Sequence, residues 1–87
     1  MTVREAVVRS QNGLYARPAT FFVQKANEHT CSIWVEKEER RANAKSLLGV
    51  LSMGITQGMK IQLIADGPDE VEALDDLVAL LAGSHAE

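Results

Sequence analysis

The sequence predicts an α+β fold in one 87-residue domain: a four-stranded antiparallel sheet with three helices on one face, in the order β-α-β-β-α-β-α. Three observations carry this. Three short segments have strand character, valine-rich or alternating, and a turn after the second leads into a fourth. Three segments bear apolar residues at helical spacing or close behind a helix start. The helices are one-sided, as helices laid on a single sheet face must be. A chain this short buries roughly 60–65% of its unfolded surface, enough for one two-layer structure.

Residues 2–9, where valines mix with Arg4, Glu5 and Arg9, read as the first strand, with an ambiguous inward face. Asn12-Gly13 ends it. From Ala16 to Asn27, Ala16, Ala19, Val23 and Ala26 recur at helical spacing. Pro18 is tolerable there because it lies in the first turn. Residues 32–37 alternate, with Ile33 and Val35 on one face and Trp34 on the other. Glu38-Glu39 turns the chain into a short strand at 40–43. Ser46 precedes an apolar segment closed by Gly54, a helix of about two turns. Gln57-Gly58 leads into the strand "KIQLIA". Gly67-Pro68-Asp69 then opens a last helix with the stripe Val71, Leu74, Leu77 or Val78, and Leu81; Asp69, Glu70 and Glu72 stand near its positive end.

Composition excludes several classes of function. A net charge of −3 argues against direct nucleic-acid binding, which needs a basic surface to replace counterions. Cys31 is the only cysteine, so neither an internal disulfide nor a cysteine-based zinc site is expected. The N-terminal stretch carries charges every few residues and lacks a signal-peptide core. The longest apolar run, at 77–82, is too short to span a bilayer. These features predict a soluble cytoplasmic protein with no membrane partner. No Walker motif, metal-ligand cluster or serine triad is present, and no cofactor or metal is expected.

Two constellations carry chemistry. At 15–18, a helix start with unpaired amides and the donor fork of Arg17 is either an oxyanion site or an ordinary first turn. Tyr15 limits what it can do. A phenol with pKa near 10 is protonated at neutral pH and is a poor nucleophile without a base. His29, past the helix, and His85, near the C-terminus, are expected to be solvated. The second constellation is Lys45-Ser46-Leu47-Leu48. Serine there is a good N-cap, and the same position suits a phosphate; the two roles are compatible. Leu47, Leu48, Val50, Leu51 and Met53 are too many apolar side chains for one face of so short a helix. Either the short helix is fully buried, or some of these side chains meet solvent and form a docking surface. The stretches "EKEERR" and "PDEVEALDD" are taken as a solvated hairpin and a solvated helix face.

In their order and spacing, "GLYARPAT", "AKSLLGVLSMG" and "ADGPDEVEAL" resemble HPr, the histidine-containing phosphocarrier of the bacterial sugar phosphotransferase system. The likeness covers essentially the whole chain. It implies an open-faced β-sandwich and, in a typical member, a histidine at position 15 phosphorylated by enzyme I. Arg17 matches the arginine that steadies that phosphate and Pro18 the proline of the helix start. Ser46 matches the serine modified by HPr kinase/phosphorylase. Tyr15 departs from the pattern where the relay reaction needs its histidine. The catabolite-repression paralogue Crh also lacks that histidine and keeps the serine. The resemblance therefore implies a non-enzymatic regulator, phosphorylated on Ser46 and acting as corepressor for a factor like catabolite control protein A. Tyr15, Arg17, Thr20, Ser46, Leu47, Leu48 and Leu51 would meet that partner. The alternative is a phosphocarrier that exchanges phosphate with enzyme I and sugar permease subunits.

Overall fold

The computed structural model describes residues 1–9, 13–14 and 16–83; Asn12, Tyr15 and His85 lie outside them. The elements are β1 (Thr2–Val7), α1 (Ala16–Asn27), β2 (Ser32–Lys37), β3 (Arg40–Asn43), α2 (Leu47–Ser52), β4 (Lys60–Asp66) and α3 (Glu70–Leu81). The strands form one antiparallel sheet in the order β1-β4-β2-β3. The predicted class and element order are those observed.

Register explains which strand faces meet the helices. Ile33, Val35, Ile61, Leu63 and Ala65 alternate inward and are almost fully buried. With Phe22 and Ala26 of α1, Val50 of α2 and Leu74 and Leu77 of α3 they make one core. The ambiguity of β1 resolves through its even positions: Ala6 is buried, and Arg4 donates to Asp75 of α3 at 2.7 Å. On the opposite, uncovered face, Ile64 is cross-strand neighbour to both Val3 and Trp34. It is buried yet outside the main core.

Three boundaries or patterns differ from expectation. The β1 ladder ends at Val7 opposite Lys60, not at residue 9. Val8 still donates to Met59, but the Arg9 amide turns away to the Leu81 carbonyl at 2.9 Å, tying the strand's exit to the end of α3. In α1 the largest buried side chain is Phe22, which the alanine and valine spacing passed over. In α3, Val71 is half exposed, at 51%. It lies at the rim of the buried arc set by 3.6 residues per turn, and Ala73 and Leu80 fill the other side.

Gly13 has φ +62°, and a Cβ there would come within 2.6 Å of Thr56 Cα. That close approach lets the Leu14 amide donate to the Ile55 carbonyl at 3.0 Å. The start of α1 is thereby pinned to the segment leaving α2.

Candidate functional site

Ser46 stands at the junction of β3 and α2 with extended backbone (φ −109°, ψ 115°). Its Oγ accepts the Gly49 amide at 3.1 Å, so the predicted N-cap is present. The loop before it is braced from α1. Asn27 Nδ2 donates to the Val23 carbonyl at 2.9 Å and to the Lys45 carbonyl at 3.1 Å. Lys45 Nζ donates to the His29 carbonyl at 2.6 Å, and the Lys45 amide donates to Asn43 Oδ1. Lys45 was singled out with Ser46 in the sequence, but its bond to His29 was not legible, nor was Asn27 as part of the site, because these partners lie 16 and 18 positions apart.

The far end of α2 is held by the β2–β3 hairpin. Lys37 Nζ donates to the Met53 carbonyl at 3.1 Å and Arg40 Nη2 to the Ser52 carbonyl at 3.2 Å. α2 has no basic residue in its own last turn, so these cations meet the carbonyls that the helix leaves unpaired. Part of "EKEERR" thus anchors α2, contrary to its reading as merely solvated.

Held at both ends, α2 buries Val50 and leaves Leu51 half-buried. Leu47 is 40% exposed and Leu48 79% exposed, so the helix is not fully buried and the reading with solvent-facing apolar side chains holds. α1 packs against α2. On α1, Pro18 is buried, whereas Arg17 and Thr20 are exposed. The Arg17 guanidinium lies 5.6 Å from the Phe21 ring centroid, a cation–π contact that orients it. The structure thus puts Arg17, Thr20, Ser46, Leu47, Leu48 and Leu51 on two packed helices of one layer. Tyr15, also expected at this face, is outside the described residues.

His29 is not solvated as expected. It is 9% exposed, with Nδ1 3.1 Å from Asp69 Oδ2 and Nε2 2.9 Å from Asp76 Oδ2. Both ring nitrogens are engaged, so neither is free to accept a phosphoryl group. Asp69 also accepts the amides of Thr30 and Cys31, each at 3.0 Å. Burial alone would raise the pKa of Asp69. The Thr30 amide, the Cys31 side chain and amide, and His29 together outweigh it and hold the carboxyl well below the usual range. Glu70 is lowered to about 2 by the Thr2 hydroxyl, the Gly67 amide and the Met1 amino group. The acidic start of α3 is therefore a fastening between sheet and helix, not only a solvated face. Cys31 is packed beneath it; burial, then Asp69, pushes its thiol up.

The helix layer thus carries a capped serine, two exposed leucines beside it and an exposed arginine. Residues 2–83 match the family model for the PTS HPr component phosphorylation site, and the chain belongs to the HPr family. It is similar to the HPr-like protein Crh of Bacillus subtilis (strain 168), at 44% identity over 79 residues, covering 91% of this chain and 93% of that one. Crh of Halalkalibacterium halodurans is 43% identical over 81 residues, covering 93% and 96%. The crystal structure of HPr-C-His from Thermoanaerobacter tengcongensis superposes with a TM-score of 0.92 at 40% identity, over 99% of this chain and all of that one. Among the described residues no helix is long and apolar enough to cross a membrane.

Proposed function

We propose that this protein is a non-catalytic, Crh-like regulator in carbon catabolite repression. HPr kinase/phosphorylase phosphorylates it on Ser46, and the phosphorylated form is a corepressor for a catabolite-control transcription factor. The observation that carries this reading is the Ser46 hydroxyl at the head of a helix whose next two residues, Leu47 and Leu48, are exposed. Phosphorylation adds about −1.5 to −2 of charge beside an apolar patch. A partner with basic groups and an apolar recess would then bind the modified form selectively. Arg17 and Thr20 extend that face, and Tyr15 adds an amphipathic contact residue. DNA contact belongs to the partner, because a chain of net charge −3 becomes more acidic on modification. The similarity to Crh proteins supports the same role.

The competing phosphocarrier reading draws on the phosphorylation-site description of the family model. Tyr15 opposes it, and the engaged ring of His29 offers no substitute. Incubation with ATP and HPr kinase/phosphorylase, followed by mass spectrometry, tests the proposal. Acid-stable phosphate on Ser46, absent from Ser46→Ala, and binding of only the phosphorylated form to the transcription factor are expected. An unmodified Ser46, or equal binding of both forms, would overturn it.

A further inference from the structure

Five of the six glycines, Gly13, Gly54, Gly58, Gly67 and Gly83, have positive φ, backbone that disfavours a side chain. Gly49 is not among them. It lies inside α2, where glycine costs about 0.5–1 kcal/mol relative to alanine, and no such backbone requirement offsets that cost. A Cβ at Gly49 would lie 3.3 Å from Ser46 Oγ, 3.4 Å from Ser46 Cβ and 3.5 Å from the Asn43 carbonyl oxygen. The missing side chain points at the hydroxyl, not into the core. Since Oγ already accepts the Gly49 amide, the helix covers one side of it. Ser46 and Gly49 are both only partly exposed, so any side chain at 49 takes away from the access that is left to Oγ.

We propose that Gly49 is a specificity-determining residue of the Ser46 site: its lack of a side chain leaves the hydroxyl open to a phosphoryl donor. This rests on the reading of Ser46 as the phosphorylated residue. In that transfer Ser46 Oγ attacks the terminal phosphorus of a nucleoside triphosphate. The new O–P bond forms as the P–O bond to the departing nucleoside diphosphate breaks, and the hydroxyl proton passes to a base on the kinase. Attacking and leaving oxygens must lie roughly in line, so the attacking oxygen has to be reachable and correctly aimed. A methyl group at 49 would force Ser46 to shift by a few tenths of an ångström, and small misplacements of reacting atoms are costly.

Gly49→Ala and Gly49→Leu test this in the full chain with ATP and HPr kinase/phosphorylase. Circular dichroism should be unchanged, while kcat/KM for Ser46 phosphorylation falls about tenfold for alanine and further for leucine. Wild-type rates in both variants would overturn the inference and leave the Ser46 reading standing. A wild-type chain that takes up no phosphate would overturn the Ser46 reading instead. A kinase-free measurement judges access by itself: Ser46→Cys is alkylated with iodoacetamide, with and without Gly49→Ala. The alanine should slow labelling by about fivefold or more, against little background from buried Cys31. Equal labelling rates would overturn the inference.

Discussion

Ser46 Oγ is both the cap of α2 and the proposed phosphate acceptor, so the usual alanine control removes two things at once. Loss of a serine cap costs roughly 1 kcal/mol, which has to be separated from loss of the modification. Leu48 gives a cleaner probe. At 79% exposed it contributes little to the fold, and Leu48→Asp should change stability by less than about 0.5 kcal/mol. The same change should weaken binding of the phosphorylated form to its partner by about tenfold or more, read by titration calorimetry. Undiminished binding would move the docking face elsewhere. The sequence offered five apolar residues for one short helix face, and the resemblance picked out Leu47, Leu48 and Leu51; only the packing separates half-covered Leu47 from open Leu48. His29 was misread because its ring partners stand 40 and 47 positions away, and local pattern carries no trace of such a contact.

At the scale of elements, α3 is fastened to the sheet by its acidic first turn as well as by its apolar stripe. Glu70, with a native pKa of about 2 against an ordinary 4.5, binds its proton less readily in the folded state than in the unfolded one. Its contribution is therefore complete above about pH 4.5 and is lost as pH falls toward 2. Asp69, also lowered, acts in the same direction. Thermal midpoints measured across this window should fall with pH in the wild type and fall less steeply in Glu70→Gln. Parallel curves would show that Glu70 does not fasten the helix. Helix existence and order were legible from periodicity, but this fastening was not. The sequence placed Asp69 near the positive end of a helix dipole, whereas its side chain turns to Thr30, Cys31 and His29.

Over the whole molecule, three strands and three helices were readable from local signals such as valine content, alternation, helical spacing and a proline or glycine stop; the short β3 followed only from the Glu38-Glu39 turn before it. Where the reading missed, tertiary geometry decided. Val71 has the right spacing but sits at the rim of the packed arc, and Arg9 leaves the sheet to reach Leu81. The resemblance placed the expected site residues on α1 and α2, which do pack together, whereas the bonds of Asn27, Lys45, Lys37 and Arg40 that brace α2 emerged only from the folded chain. The central claim is that this HPr-family chain carries phosphate as a mark and not as cargo. Its most direct test is to supply phosphoenolpyruvate, enzyme I and a sugar permease subunit, and to follow phosphate onto that subunit. The wild-type protein should transfer none, with a histidine-bearing HPr as positive control. Phosphate reaching the permease subunit through the wild-type protein would contradict the account.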